Sequence, residues 1–409
     1  MPAGTQSSPT LLVGAMAHLG TGQVIPNAAV GFVDGKITVV APAAEVTDRS
    51  GYDVVDVAGM HLYPGLILPN TTLGLNEVSS VAATVDQSET GQYNPNVRAL
   101  VAYNTDSELI PTLRFNGILL AQATPTSGVI SGSSSIVKLD GWNWEDAVYS
   151  ADDAIHLNWP QQLLSPRWWL GETAFRDNDS YDETVDELDK LFTDAIAYEA
   201  AENSDRRNLK LEALEGLFDE SQSLHIHAGD AKSIIASISF AEKHGVRRIV
   251  VVGGEQAMLV AGLLVEKDIP VVLANVHRRP SYDHEDTVSP YKLPAALAEA
   301  GVKVSLGYSG TMNSRNLPFF VGTAITWGAD PEDALKMVTA NTAEVLGIAD
   351  RTGTVEVGKD ANIIVSKGDV FDMRTNDLVY AYIMGSPIQL DGRQQALYKK
   401  YSNKYGHND

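Results

Sequence analysis

His225 and His227 lie two residues apart in the apolar run Leu224-His225-Ile226-His227. On a strand, that spacing puts both imidazoles on one face. Two imidazoles at one strand end form a two-point grip for a divalent metal. They serve equally as structural hydrogen-bonding groups, and the spacing leaves both readings open. Asp230 follows three residues later. Gly253, Gly254 and Glu255 end the next apolar run, and His277, Arg278 and Arg279 follow Val271-Val272-Leu273. The two guanidinium groups would repel a cation and suit an anionic substrate group such as a carboxylate. Tyr308 and Ser309 follow Val304-Ser305-Leu306, and Asn70, Thr71 and Thr72 follow Gly65-Leu66-Ile67-Leu68. Asp283-His284-Glu285-Asp286 has ligand-type side chains, but neighbours in one loop rarely converge on one ion, so solvated charge is expected there. Ser131-Gly132-Ser133-Ser134-Ser135 reads as a loop that could offer backbone N–H groups to an anion, or as a plain flexible loop. No serine-nucleophile elbow, P-loop or dinucleotide fingerprint occurs. The chain has no cysteine, which removes thiolate metal sites, disulfides and cysteine nucleophiles.

The elements that must carry these groups are apolar strands alternating with helices. Runs starting near residues 224, 249, 271 and 302 are spaced about 22 to 31 residues apart. One intervening helix has Ile234, Ile235, Ile238 and Ala241 as its apolar face and stops at Gly245. Continuous apolar strands with crossover helices indicate a parallel sheet covered on both faces. Earlier runs at 65–68, 117–121 and 155–157 extend the series to about eight units, which favours a (β/α)8 barrel over an open sheet. In such a barrel, chemistry sits just past the C-terminal ends of the strands, where the residues above fall. The two ends of the chain are β-rich instead. Val33 and Lys36 flank Asp34-Gly35, a strong hairpin signal. The predicted division is a composite β-sandwich from 1–63 and 353–409, and a distorted barrel over 64–352. An acidic helical excursion at 172–220 is expected to be solvated.

Length and charge bound the function. The 409 residues carry a formal charge of −22, which disfavours nucleic acid as a partner and promotes solubility. No apolar run approaches the ~20 residues of a membrane helix, so no membrane partner is expected. The opening Met1-Pro2-Ala3-Gly4-Thr5 lacks a basic and an apolar region, so no signal peptide is expected. A trimmed mature terminus would look the same, which leaves cytoplasm and periplasm both open.

Several stretches resemble the amidohydrolase superfamily, in the branch near imidazolonepropionase. They are Asp34-Gly35-Lys36-Ile37, Asp56-Val57-Ala58-Gly59 with Tyr63-Pro64-Gly65-Leu66-Ile67, Asn341-Thr342-Ala343-Glu344-Val345-Leu346-Gly347, and Gly353-Thr354-Val355-Glu356-Val357-Gly358-Lys359-Asp360-Ala361-Asn362. The resemblance implies the same barrel with a β-sandwich from both termini, divalent metal at the mouth, and hydrolysis of C–N bonds. The metal residues depart from the family. Its Asp-x-His-x-His falls on Leu68, Asn70 and Thr72, its strand-six histidine on Gly253, and its strand-eight aspartate on Ser309. The strand-five histidine is kept at His225 or His227, and the Ala228 that follows points to His227. No tightly held cofactor is expected, and at most one zinc ion weakly bound by His225 and His227.

Two functions compete at this stage. The first is a hydrolase of amide, cyclic amide or dipeptide-like C–N bonds. His227 would be the base with Glu255 or Asp230 as its carboxylate partner, and Ser309 would assist; Asn70, Thr72, His277, Arg278 and Tyr308 would bind substrate. The second is a catalytically inactive, metal-free ligand-binding subunit that self-associates or pairs with an active homologue. A glycosidase-like carboxylate pair, Asp230 with Glu255, is a minor third.

Overall fold

The computed structural model describes residues 2–200, 207–280 and 285–407. Strands β1 (Thr10–His18), β2 (Val24–Val33), β3 (Lys36–Pro42), β4 (Asp53–Asp56) and β5 (His61–Pro64) come first. Asp34 and Gly35 both take positive φ, 50° and 79°, and join β2 to β3 as a tight hairpin in which Val33 faces Lys36. The barrel strands follow: β6 (Leu66–Thr71), β7 (Ile118–Ala123), β8 (Ile130–Lys138) and β9 (Val148–Asn158). A two-stranded ribbon, β10 (Leu163–Leu164) with β11 (Arg176–Asp177), precedes β12 (Ser223–Ala228), β13 (Ile249–Gly253), β14 (Val271–Leu273) and β15 (Val304–Leu306). Near the C-terminus lie β16 (Ile363–Ser366), β17 (Leu378–Ile383) and β18 (Ser386–Pro387).

These form two large sheets. One runs β18-β17-β16-β5-β1-β2-β3, with β4 also paired to β1, so strands from both chain ends share a sheet. The residues between β5 and β16 fold into the other, ordered β6-β7-β8-β9-β12-β13-β14-β15. It is a nearly closed barrel. At its seam, Leu306 N–H donates to Met337 O and Ile67 N–H to Val338 O, both at 2.9 Å, so one short segment bridges the first and last strands.

The barrel is not uniformly parallel, as the sequence suggested. β8 runs antiparallel to both β7 and β9. The connections at 124–129 and 139–147 are too short for the crossover that a parallel return needs, so the chain doubles back. The 131–135 run is therefore strand, not a loop. Its small residues have a physical reason: a Cβ on Gly132 would collide with the Val97 carbonyl of the segment packed over it.

Part of the barrel interior is apolar. Ile67, Leu120, Ile136, Val250, Val252 and Val272 pack there with Ala343, Val345, Leu346 and Ile348. Helix Ala231–Lys243 buries Ile234, Ile238 and Ala241, but Ile235 faces solvent at 46% exposure, one position off the predicted face. Helix Tyr181–Ala200 lies in the acidic excursion and buries Leu188, Phe192 and Ala195, leaving its carboxylates outside. Asp283 and His284, singled out in the sequence, lie outside the described residues.

Candidate functional site

On strands β7, β8, β9 and β12 the barrel interior also carries polar side chains, with His225 and His227 in register with Val250 and Val252 of β13. Parallel pairing of β9 with β12 sets His156 beside His225. Alternation along β12 puts Leu224 and Ile226 into the outer core and turns His225 and His227 inward. Nδ1 of His156 and Nε2 of His227 are 2.9 Å apart. The His225 ring meets His156 edge-on, with centroids 5.0 Å apart. Nε2 of His156 and both ring nitrogens of His225 are buried and have no hydrogen-bond partner among the described residues. Burial holds all three imidazoles neutral at physiological pH. It drives His227 down to about 4. Burial, with the charges of His227 and Arg248, drives His225 to about 3. His156 lies well below its ordinary value through burial and its two histidine neighbours.

A second polar group lies alongside. Gln122 on β7 donates from Nε2 to Asp153 Oδ2 at 2.6 Å and to Ser134 Oγ at 3.1 Å. Ser134 donates to Asp153 Oδ1 at 3.0 Å. Burial dominates and raises the Asp153 carboxyl to about 6, although both hydrogen bonds oppose it. The free end of Gln122 accepts the Asn70 backbone N–H at 3.0 Å. Asn70 has φ +53°, a left-handed conformation uncommon for a side-chain-bearing residue, and this hydrogen bond anchors it. Its side-chain amide makes no hydrogen bond among the described residues, so its N–H donors are uncommitted. Thr72 donates from Oγ1 to the Ser309 carbonyl at 3.2 Å. Two positions where the family places metal ligands thus hold each other across the seam.

Several expected roles meet competing partners. Asp230 is spent as the N-cap of helix Ala231–Lys243, accepting Ser233 N–H at 2.9 Å and Ser233 Oγ–H at 2.6 Å. The observed partner of His227 is an imidazole rather than a carboxylate. Glu255 Oε2 lies directly over Gly229, where a Cβ would collide with it, and close to Gly253. Arg278 pairs with Glu285 at 2.7 Å with both side chains nearly buried. His277 Nε2 contacts Thr323 Oγ1 at 2.7 Å. The Tyr308 hydroxyl accepts from Asn313 Nδ2 at 3.2 Å. His156, Gln122 and Asp153 escaped the sequence reading. A histidine between Ile155 and Leu157 in a strand was the one available signal; nothing marked the other two.

The residues present do not fit a tightly held zinc. Such a site needs three or four converging donors. Among the described residues no group of three or more His, Asp or Glu side chains converges in an arrangement able to hold an ion. The imidazoles of His156 and His227 are turned on each other, and Asn70, Thr72, Gly253 and Ser309 bring no imidazole or carboxylate.

Comparison with known proteins places this arrangement. The profile of the amidohydrolase family matches residues 146–388, over half of the chain. Imidazolonepropionase of Flavobacterium psychrophilum is 37% identical over 82 residues, 19% of this chain and 20% of that protein. A 5-methylthioadenosine/S-adenosylhomocysteine deaminase of Teredinibacter turnerae is 33% identical over 95 residues, 20% of each chain. The chain thus aligns with about a fifth of the length of these relatives. An amidohydrolase from Thermotoga maritima MSB8 superposes with a TM-score of 0.81 at 24% identity, over 93% of this chain and 99% of that one. Molinate hydrolase superposes with a TM-score of 0.56 at 14% identity, over 94% and 95%. These structural likenesses carry the fold: an amidohydrolase barrel with a separate β domain. The chain belongs to the amidohydrolase family, and its local sequence similarity includes imidazolonepropionases.

Proposed function

We propose that this chain hydrolyses a C–N bond in a small amide, cyclic amide or dipeptide-like substrate bound at the barrel mouth. Family membership supports the reaction class. The observation that carries the role of this chain's own residues is the His156–His227 contact at 2.9 Å. His227, unprotonated at neutral pH, takes a proton from a water molecule as its oxygen adds to the substrate carbonyl carbon. His156 fixes the orientation of its ring. The uncommitted Asn70 amide, anchored through Gln122, donates to the developing oxyanion. The oxyanion then collapses to the carbonyl as the C–N bond breaks, and the proton passes from His227 to the leaving nitrogen, giving an acid and an amine. Glu255 orients substrate from the rim. A zinc ion at His225 and His227 would have two protein donors and would be held weakly.

The test is turnover of a panel of N-acyl and cyclic amides by wild type, His227→Ala and Asn70→Ala. We expect loss of at least 100-fold for His227→Ala. Equal turnover in wild type and His227→Ala would remove His227 from the reaction.

A second reading, a catalytically inactive, metal-free ligand-binding subunit, is favoured by one specific feature. Among the described residues no carboxylate hydrogen-bonds to His227, and an imidazole with a pKa near 4 is a weak base. Ligand-induced thermal stabilisation without turnover, across the same panel, would establish that reading instead.

A further inference from the structure

Helix Arg393–Tyr405 buries no residue. Leu397, Tyr398, Tyr401 and Tyr405 are 40%, 63%, 47% and 64% exposed. Leu397, Tyr401 and Tyr405 are spaced by four, so they form one stripe along the helix. The helix also carries Arg393, Lys399, Lys400 and Lys404 and no carboxylate, in a chain whose formal charge is −22. The Lys400 and Lys404 ammonium groups lie 5.7 and 5.1 Å from the ring centres of Tyr401 and Tyr405. Its thirteen residues sit at the length, about 12–15, below which an uncovered helix is marginal in water. A helix of this length is stabilised chiefly by packing one face, and this one has its apolar stripe in solvent.

The complement is on the same chain. Helix Tyr181–Ala200 bears Asp182, Glu183, Asp186, Glu187, Asp189, Asp194 and Glu199 against Lys190 alone. Leu163, Leu170 and Phe175, in the segment leading into it, are 54%, 62% and 49% exposed. The acidic surface therefore comes with apolar side chains, as the basic one does. Within one molecule the two start from opposite ends of the barrel. Gly392, at the start of the C-terminal helix, abuts Pro111, in the segment that leads into β7 at the foot of the barrel. The acidic segment instead leaves β9 at the mouth, the end where His227 lies.

We propose that helix Arg393–Tyr405 docks on the acidic Tyr181–Ala200 face of a second copy of this chain. Lysines then meet carboxylates, and the tyrosine stripe covers the exposed leucines and Phe175. The contact joins two different patches, so each copy offers both halves of it.

Sedimentation velocity on the full chain tests this, with circular dichroism to confirm that each variant is folded. Wild type should self-associate. Lys399→Glu/Lys400→Glu/Lys404→Glu should be monomeric at the same concentration, and so should Asp182→Lys/Asp186→Lys/Asp194→Lys. Mixing the two variants should restore association, because every helix then meets a face of opposite charge. Tyr401→Ser/Tyr405→Ser should weaken self-association at least 10-fold. A wild type that stays monomeric, or folded charge variants that fail to associate when mixed, overturns the proposal. So does a wild type that floats with anionic vesicles through this helix without self-associating; the occupant would then be a lipid surface.

Discussion

Replacing Asp153 by Asn should change the pH dependence of stability in a calculable way. In the fold, burial raises this carboxyl from 3.8 to about 6. Between pH 4 and 6 the folded chain then binds a proton that the unfolded chain has lost. Stability from this group therefore falls as pH rises through that window and levels off above it. A shift of about two units corresponds to roughly 3 kcal/mol. The buried histidines oppose it: their lowered pKa values make stability rise with pH up to about 6.5. The measurement must therefore be the difference between wild type and Asp153→Asn, which cancels the histidines. Asn can still bond to Ser134 and Gln122, so the variant should fold. Urea denaturation at steps from pH 4 to 7 should show the variant gaining on wild type by up to about 3 kcal/mol across the range. A flat difference would refute the claim that Asp153 is charged at a cost in the barrel interior.

Gly229→Ala should leave thermal stability nearly unchanged but swing the flexible Glu255 side chain away, because the added Cβ would collide with its Oε2. Its kinetic or ligand-binding behaviour should match Glu255→Gln; a wild-type profile in both variants would show that the carboxylate has no role. Gly35→Ala should cost about 1–2 kcal/mol, since Gly35 holds φ +79° and a Cβ would stand 3.0 Å from the Met384 carbonyl; the unfolding midpoint in urea checks this. Phe192→Ala should cost about 3–5 kcal/mol by the same assay, because the ring is fully buried and packs on Phe218, Phe240 and His244. Zinc added to the purified chain should bind weakly and be removed by dialysis. Zinc retained at one equivalent would mean that the three imidazoles rearrange into a converging set.

How far the sequence reaches depends on the kind of signal. The apolar runs at 224–228, 249–253 and 271–273 become barrel strands because burial on both faces leaves a continuous apolar pattern. The Asp34-Gly35 hairpin is legible because two adjacent positive-φ positions favour Asp and Gly. The direction of β8 is not legible, because strand pattern carries no polarity and only the short flanking connections hint at it. Ile235 shows the same limit, since a run of apolar residues blurs which of them faces inward. At the mouth, His225 and His227 are visible by type and spacing, whereas His156 enters only through pairing of β9 with β12. The Arg278–Glu285 pair is not legible, because its partners are seven residues apart in a loop, beyond any local pattern. Asp230 looked like a catalytic carboxylate although a helix start three residues before Ser233 accounts for it.

The back-and-forth course of β7, β8 and β9 bears on how the chain reaches its native state. Barrels of parallel strands assemble from contacts far apart in sequence, and closing such loops slows folding. Here three of the eight staves lie within residues 118–158 and join through a six-residue connection and a nine-residue one that holds a single helical turn. Hairpins of that kind form in microseconds, long before distant segments meet. Early formation of this stretch predicts that destabilising it slows refolding, followed by stopped-flow fluorescence, more than an equal loss near β14.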